Sequence, residues 1–273
     1  MNLIRDIIIK HFVLVLKGVK KIMAKIGLNN LKFGVLQEAG DTVSYGAMQS
    51  LGKAVSANVS ITNNTAVLYA DDAVAESDNT FSSGTISLTV DDDGDTVFAP
   101  LLGHQIDNVT GVMVRNQNDT APYVGVGRIV NKMVGGVRKY KVEFLSKVKF
   151  AEPTQESNTH GETTEFGTQT IEGTIATLKN GEWSKTKTFT SHAAALEFLA
   201  TCFGQIVTSN AFEGDGTTTT FTLSHTPTSV FTVTVNGAVV DPDEYTVSGT
   251  TLTFTTAPAD DSVIYVAYSY NAS

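Results

Sequence analysis

Residues 124–144 read VGVGRIVNKMVGGVRKYKVEF, and this stretch decides the fold. Apolar and polar residues alternate on both sides of Gly135-Gly136, so that Tyr140, Val142 and Phe144 share one face. Alternation with a period of two is typical of a half-buried strand, and a glycine pair between two such runs favours a tight turn. The stretch therefore predicts a long antiparallel hairpin.

The same alternation recurs along most of the chain. Residues 85–90 read TISLTV, which places Ile86, Leu88 and Val90 on one face. Many short alternating runs separated by turn residues are typical of antiparallel sheets. The predicted fold class is mainly β, with a β-sandwich or barrel and one or two flanking helices.

Two segments have helix caps instead of alternation. Asp95 and Ser191 each precede an apolar run that ends at a glycine, which predicts a short helix from Asp95 and a longer one after Ser191. On the second helix Leu199, Cys202 and Phe203 share one face. The only cysteine is therefore predicted to be a core residue.

Charge divides the chain into three parts. The 273 residues carry a formal net charge of −9, from 19 Lys and Arg against 28 Asp and Glu. Residues 1–22 hold five basic residues and one acidic residue, whereas residues 211–273 hold seven acidic residues and no Lys or Arg. An acidic chain is a poor candidate for gripping nucleic-acid phosphates. The division predicts an N-terminal extension (1–22), a main domain (23–208) and a C-terminal domain (212–273).

The extension over residues 1–22 has its longest uncharged apolar run at residues 12–16, which is too short to span a membrane. Residues 17–19 can be encoded by a bacterial ribosome-binding sequence, and Met23 followed by Ala24 resembles a natural start. We hypothesise that translation begins at Met23. An intact mass of the native protein that included residues 1–22 would contradict this.

The C-terminal domain is dense in strand and turn signals. Residues 211–273 contain 15 threonines, and β-branched side chains favour strands. Val233 and Val235 alternate with threonine up to Asn236-Gly237, which is a strong hairpin signal. Frequent turns between short strands predict a small antiparallel immunoglobulin-like β-sandwich.

Candidate chemical sites are few. A calcium loop built on residues 91–95 would have Thr89 and Pro100 at its first and twelfth positions, and neither supplies a carboxylate. Gly125 and Gly127 lack the third glycine of a dinucleotide loop and are predicted to be strand or bulge glycines. The five histidines have no ligand spacing. We therefore expect no catalytic, metal-binding or cofactor-binding residues.

An ordered series of short motifs runs through the main domain. Its members are MAKIGL at 23–28, LYADD at 68–72, YVGVG at 123–127, KVKFAEP at 147–153 and TIEGT at 170–174. In this order and spacing, the chain from Met23 to about residue 205 resembles the major tail tube protein of long-tailed (siphovirus-type) phages and prophages of Gram-positive bacteria. Residues 213–270 resemble the immunoglobulin-like domains that follow some tail tube domains.

The resemblance implies a structural virion protein without catalysis, made in the bacterial host cytoplasm and located in the phage tail. Its copies assemble as hexameric rings that stack into a tube, with a tape measure protein and tail terminator and baseplate proteins as further partners. Phage DNA passes through the lumen without specific binding. An acidic wall favours such passage because it repels phosphate.

The resemblance also suggests two assembly surfaces. The hairpin over residues 124–144 is predicted to line the lumen. Its candidate residues for the lumen and for packing are Gly125, Gly127, Tyr140, Val142 and Phe144. The loop over residues 69–81 is predicted to contact the next ring, although an ordinary structured turn is an equal alternative there. The candidates for that contact are Tyr69, Asp71 and Asp72.

Two other functions stay open at this point. One is a non-catalytic adhesin that binds host-surface glycans through residues 212–273, although we find no export signal. The tyrosines available for stacking on a sugar are Tyr245, Tyr265, Tyr268 and Tyr270. The other is an enzyme of unrecognised type, which would need a cleft with perturbed ionisable groups.

Overall fold

The computed structural model describes residues 23–70, 73–91, 94–107, 109–154 and 168–271. The elements of the first part are β1 (Met23–Ala39), β2 (Thr42–Tyr45), β3 (Gln49–Ser50), β4 (Ala54–Ala70), β5 (Ala73–Val90), α1 (Asp95–Leu102), β6 (Gln105–Ile106), β7 (Met113–Val114), β8 (Tyr123–Val134), β9 (Val137–Phe150), β10 (Gln169–Ile175), β11 (Ser184–Phe189) and α2 (His192–Cys202). Those of the second part are β12 (Ile206–Glu213), β13 (Thr220–Thr222), β14 (Ser229–Val235), β15 (Ala238–Val239), a 3-10 turn (Pro242–Glu244), β16 (Tyr245–Ser248), β17 (Thr251–Phe254) and β18 (Val263–Tyr270).

The first part is built on one nine-stranded sheet in the order β2-β1-β8-β9-β10-β5-β4, with β3 added to β1 and β11 added to β9. Every strand pair described in it is antiparallel. The predicted hairpin is present, because β8 and β9 pair continuously up to Val134↔Val137 around the glycine turn. The prediction of a mainly β fold with few helices is confirmed.

One face of this sheet, together with α1, encloses the main hydrophobic core. Ile86, Leu88 and Val90 are fully buried there, which confirms their predicted common face. Phe98 and Leu101 pack against them from α1. Burial of apolar surface at about 25 cal/mol per Å² makes this cluster a main source of stability.

The sheet curls so that its two long sides approach each other. Arg128 in β8 donates from Nη1 to the carbonyl oxygen of Ala57 in β4, at 2.9 Å. The strands β1 and β4 that flank this contact are not paired with each other among the described residues. A side-chain hydrogen bond, rather than strand pairing, therefore connects the two sides of the curled sheet. No sheet of the described chain closes on itself.

A bulge in β9 divides its buried residues between two cores. The register shifts between Val124↔Val148 and Val126↔Leu145, which leaves two residues of β9 opposite one residue of β8. Before the bulge, Val142 and Phe144 pack on α2, whereas after it Val148 packs in the main core. Both hairpin faces are thereby buried.

Helix α2 lies between the main sheet and the C-terminal domain. Ala195, Leu199 and Cys202 face the sheet, which confirms the predicted apolar face. On its other side Ala200 contacts Phe231 of the C-terminal domain. Both predicted helices exist, although the structure puts the first N-cap at Gly94, with Asp95 as the first helical residue.

The C-terminal domain consists of two antiparallel sheets, β12-β18-β14-β15 and β13-β17-β16. Their facing sides enclose a core that includes Phe221, Leu252 and Tyr268. Asn236 and Gly237 join β14 to β15 with φ of 50° and 79°, the positive φ pair of a type I′ turn. The antiparallel two-sheet arrangement is the one predicted from the sequence.

The predicted boundary between residues 208 and 212 falls inside a strand. β12 begins at Ile206 and pairs along its whole length with β18, from Ile206↔Tyr270 to Glu213↔Val263. The C-terminal sheet therefore starts directly after α2. The sequence signal was weak because the half-buried face of β12 includes the polar residues Thr208 and Asn210 while Ile206 is exposed, so that apolar and polar residues do not alternate cleanly.

Candidate assembly surface

The segment predicted as a loop over residues 69–81 lies within a long hairpin instead. β4 and β5 pair from Ala54↔Val90 to Ala70↔Ala73. The neighbouring strand β10 stops pairing with β5 at Gly84. Beyond that point the two strands form a ribbon, residues 62–70 and 73–83, which we call the arm. No other strand of the described chain pairs with either edge of the arm.

The composition of residues 62–66 and 77–80 explains why this part of the arm has no core. Residues 62–66 and 77–80 are exposed on both faces, and they are mostly Thr, Asn and Ser. Thr65 donates from its hydroxyl to Asn79 Oδ1 across the strands, at 2.7 Å. Threonine favours a pleated backbone, but these side chains bury no apolar surface. Strand propensity is present here without the packing that normally accompanies it.

The base of the arm is anchored by close packing. Phe81 stacks on Trp183, with ring centroids 4.7 Å apart and planes 8° apart. A Cβ at Gly84 would lie 2.9 Å from Ile61 Cδ1 and 3.0 Å from the carbonyl oxygen of Ser60. The glycine therefore lets the two strands approach closely where the arm leaves the sheet.

A cluster of charges lies beside the base of the arm. Arg128 Nη2 and Lys141 Nζ are 2.7 and 2.5 Å from the two carboxylate oxygens of Glu143. Burial acts to raise the pKa of Glu143, but the hydrogen bonds and charges of Lys141 and Arg128 outweigh it and hold that pKa below its usual value. Because Arg128 also binds the backbone of β4, the cluster ties the arm-bearing strand to the β8–β9 hairpin.

The five candidate residues of the β8–β9 hairpin come together under α2. Val142 and Phe144 are fully buried, and the Tyr140 ring packs against the His192 ring at 5.2 Å. A Cβ at Gly125 would lie 2.6 Å from Tyr45 Cε1, and one at Gly127 would lie 2.3 Å from Leu199 Cδ1. Both residues are strand glycines, as predicted, because aromatic and leucine side chains pack directly on their backbone.

The face that these five residues share is therefore occupied by α2 and Tyr45 of the same chain. Their part in packing is visible, whereas a lumen-lining role of the hairpin stays a prediction. Helix α2 and Tyr45 leave two parts of the hairpin surface uncovered. One is the turn, where residues 135–138 are exposed, and the other is the face away from α2 in the strand residues next to that turn.

The three candidate residues for the contact between rings are described only in part. Tyr69 is in β4, opposite Val74 of β5, and its side chain lies outside the described residues. Asp71 and Asp72 lie wholly outside them. Their position in the sequence is the turn of the arm, between the paired Ala70 and Ala73. The predicted contact stays a prediction.

Most of the candidate sugar-stacking tyrosines belong to the core of the C-terminal domain. Tyr268 is fully buried, and Tyr245 and Tyr270 pack against the same cluster. Tyr265 is 41% exposed on the outward face of β18. Strand alternation accounts for the difference, since even-numbered residues of β18 point inward and odd-numbered ones point outward.

One cluster of ionisable groups was not predicted from the sequence. His104 Nδ1 lies 2.7 Å from Asp119 Oδ2, while its Nε2 contacts Glu152 Oε1. The backbone N–H of Asn116 and His104 itself lower the pKa of Asp119. Histidine and carboxylates 15 and 48 residues apart give no local signal. The cluster joins three loops and is a structural contact.

The other candidate chemical groups lie in the core or in turns. Burial raises the pKa of the Cys202 thiol to about 11, so the thiol is kept protonated in the core. Asp91, from the rejected calcium loop, accepts a hydrogen bond from the backbone N–H of Lys53 at 2.7 Å. The described residues contain no group of three or more His, Cys, Asp or Glu arranged to hold a metal ion.

No protein-family model matches this chain, and no curated protein is similar enough to count as a match. Within the described residues, no helix combines the length and the apolar character needed to cross a membrane.

Proposed function

We propose that this chain is a structural, self-assembling subunit of the tail tube of a long-tailed phage or prophage, without catalytic activity. The observation that carries the proposal is the arm, which is exposed to solvent at residues 62–66 and 77–80 and whose edges have no strand partner in the described chain. A two-stranded ribbon alone is marginally stable in water, and free strand edges invite further pairing. A second copy of the chain would complete the arm.

The direction of the strands supports assembly into rings. β9 is antiparallel to β10 and β10 is antiparallel to β5, so β9 and β5 run in the same direction. Both strands begin at the tip of their hairpin, which puts the two tips at the same end of the sheet. If one hairpin of a copy meets the other hairpin of the next copy, the contact is head to tail, and such contacts generate rings when the rotation closes. We take these rings to be the hexamers that stack into the tube.

The position of the C-terminal domain supports an outward location in the tube. The domain contacts α2, and α2 separates it from the main sheet. A domain on that side leaves the arm and the hairpin tip free for neighbouring copies. In this arrangement the tape measure protein and the DNA occupy the lumen, and the net charge of −9 disfavours binding of DNA phosphates.

Negative-stain electron microscopy and light scattering of the purified chain test the proposal. We expect rings or tubes, both for the full chain and for the chain that begins at Met23. The matched variant replaces residues 63–82 with Asn-Gly, which joins the paired Thr62 and Ser83 by a two-residue turn. We expect this variant to fold and stay monomeric, because it lacks the arm.

Two results would overturn the proposal. Tubes formed equally well without the arm would remove its central observation. A full chain that stays monomeric at every concentration, and binds bacterial cells or glycans through residues 206–271, would establish the adhesin instead. Loss of that binding in Tyr265→Ala would then locate it, since Tyr265 is the exposed tyrosine of the outward sheet face.

A further inference from the structure

Three lysines lie side by side where β1, β8 and β9 approach the glycine turn of the β8–β9 hairpin. Lys25 is directly opposite Lys132, and Lys132 is directly opposite Lys139. Residues directly opposite each other in antiparallel strands point to the same face, and neighbouring strands are about 4.8 Å apart. We call these three residues the lysine row.

The lysine row has no ion-pair partner within the described chain. None of the ion pairs among the described residues includes Lys25, Lys132 or Lys139. Like charges directly opposite each other destabilise a sheet. The row therefore costs stability in the single chain, and an anionic partner would offset that cost.

The row lies on the face of the sheet that is turned away from α2. Tyr140 packs against His192 of α2, and successive residues of a strand point to opposite faces. Lys139 and the rest of the row therefore point away from the helix. On that face the exposed Lys25 lines the opening of the curled sheet together with Arg128. A neighbouring molecule can reach the row from this side.

The C-terminal domain carries the opposite charge. Residues 211–273 contain no Lys or Arg, and their seven acidic residues are all exposed. These residues are Glu213, Asp215, Asp241, Asp243, Glu244, Asp260 and Asp261. None of the ion pairs among the described residues includes any of them.

Strand pairing brings all seven acidic residues to the same end of the domain. Glu213, the last residue of β12, pairs with Val263, the first residue of β18. In the other sheet Tyr245, the first residue of β16, pairs with Phe254, the last residue of β17. The loop from β12 to β13 joins these two places, because its Thr219 carbonyl oxygen accepts a hydrogen bond from the N–H of Phe254. The acidic residues flank these strand ends, and we call them the acidic end.

The acidic end cannot reach the lysine row of its own copy. β12 follows α2 directly and runs from Ile206 to Glu213, which puts the acidic end roughly 20 Å beyond the helix. Helix α2 itself lies between the C-terminal domain and the main sheet. Since the lysine row is on the other face of that sheet, its anionic partner has to belong to another molecule.

We infer that the acidic end of one copy binds the lysine row of a neighbouring copy, so that the C-terminal domain takes part in assembly. The inference rests on the proposed function, because it adds a second contact between copies that the arm brings together. A second copy is favoured over nucleic acid, since the net charge of −9 repels a phosphate chain. Complementary potentials at an interface steer association and reject wrong orientations.

Cross-linking of the assembled full chain tests the contact directly. Equal amounts of unlabelled and isotope-labelled monomer are mixed, assembled and treated with a water-soluble carbodiimide, which joins a lysine amine to a carboxylate in contact with it. We expect cross-linked peptides that join Lys25, Lys132 or Lys139 to residues 213–261, with labelled and unlabelled partners combined at random. Cross-links that always join peptides of the same label would place the pairing within one copy and overturn the inference.

Charge-reversal variants of the full chain measure the strength of the contact. The row variant is Lys25→Glu, Lys132→Glu and Lys139→Glu, and the end variant is Glu213→Lys, Glu244→Lys and Asp260→Lys. Asp215 and Asp241 stay unchanged because their carboxylates accept backbone hydrogen bonds within their own turns. A control variant makes the charge change of the row variant at three exposed lysines elsewhere, with Lys53→Glu, Lys179→Glu and Lys187→Glu. Circular dichroism confirms that each variant is folded.

We expect the row variant and the end variant each to raise the protein concentration at half assembly by at least about tenfold, since attractive contacts become repulsive. The control variant changes it by less than about twofold. The end variant lowers the net negative charge of the chain, which by itself favours association, so that weaker assembly in this variant is specific to the contact. Mixing the row variant with the end variant restores assembly, because alternating copies then place opposite charges at every contact.

The outcomes separate the inference from the proposed function. A wild-type chain that never assembles contradicts both. A wild-type chain that assembles without the expected cross-links, with row and end variants that behave like the control, contradicts only the inference. Binding of a short duplex DNA that is lost in the row variant, while assembly persists, would assign the lysine row to nucleic acid instead.

Discussion

The β8–β9 hairpin and the β4–β5 hairpin have the same local structure and opposite surroundings. Both are long antiparallel pairs of strands. The first is buried on both faces, by the main core on one side and α2 on the other. The second leaves the sheet at Gly84 and continues as a ribbon whose residues 62–66 and 77–80 are exposed on both faces. Backbone pairing alone thus does not distinguish a core element from a solvent-exposed one.

The difference between the hairpins lies in what their side chains can bury. β8 and β9 carry Val, Ile, Leu and Phe, and glycines where rings pack on the backbone. The arm carries mostly Thr, Asn and Ser at residues 62–65 and 77–80, and Ala, Val, Leu and Tyr with acidic residues next to its turn. A free-energy gain from apolar burial is available to the first hairpin inside one chain. The second can obtain a comparable gain only through contact with another molecule.

The largest expected effect is on the buried hairpin. Phe144→Ala should lower the free energy of unfolding by about 3–5 kcal/mol, because it removes a fully buried ring that packs edge to face on Tyr45 and Phe203. Urea denaturation of the monomer measures this, with Val55→Ala on the exposed edge of β4 as the control. A loss below about 1 kcal/mol would mean that this hairpin depends on its packing no more than the arm does.

A smaller loss of stability is expected at a glycine whose backbone is in direct contact with aromatic rings. Gly125→Ala should cost about 1–3 kcal/mol, because the new Cβ would lie 2.6 Å from the Tyr45 ring and 2.9 Å from the Phe144 ring. Gly46→Ala is the matched control, since its Cβ would meet nothing closer than 3.7 Å. Equal thermal stability of the two variants would show that the aromatic cluster can move away from β8.

A pH-dependent effect is expected at the junction between the two hairpins. The pKa of Glu143 is held below its ordinary 4.5 by Lys141 and Arg128, so its contribution to stability is present above that pH and is lost as pH falls through the folded-state pKa. Glu143→Gln should cost about 1–3 kcal/mol at neutral pH, where it leaves two cations without their carboxylate.

The control for this prediction is its pH profile. Denaturation of the wild type and of Glu143→Gln should converge as pH falls below 4.5, because a protonated glutamate and a glutamine are then equivalent partners. A constant difference between the two chains down to pH 2 would show that the carboxylate charge is not what joins β8–β9 to β4.

The smallest effect is expected in the arm. Thr65→Ala should change the stability of the monomer by less than about 0.5 kcal/mol, since its hydrogen bond to Asn79 is exposed to water. Hydrogen exchange should agree, with fast exchange in residues 62–66 and slow exchange in β8 and β9. Strong protection of the arm in a dilute monomer would remove the contrast between the hairpins.

Elements with a strong local period could be predicted from the sequence. The alternation around Gly135-Gly136, the Asn236-Gly237 turn and the apolar face of α2 all have a signal within a few residues. The arm was predicted as a loop because residues 62–66 and 77–80 carry mostly polar side chains on both faces, so no apolar alternation marks this part of its strands.

Features that depend on distant residues had no such signal. The His104 cluster joins residues that are 15 and 48 positions apart in the sequence. The hydrogen bond from Arg128 to the backbone of β4 joins residues that are 71 positions apart. The bulge in β9 also reassigns its side chains from one core to another, although the sequence alternates evenly up to that point. Each of these depends on which strands become neighbours.

The sequence by itself determined the mainly β class of fold, the β8–β9 hairpin and the Asn236-Gly237 turn, because turn chemistry and alternation are local properties. Only the tertiary structure decided that residues 69–81 belong to a second long hairpin, which of the two hairpins is core, and where α2 divides the two domains. The physical reason is that burial and cross-strand proximity are set by long-range pairing, and no single segment contains that information.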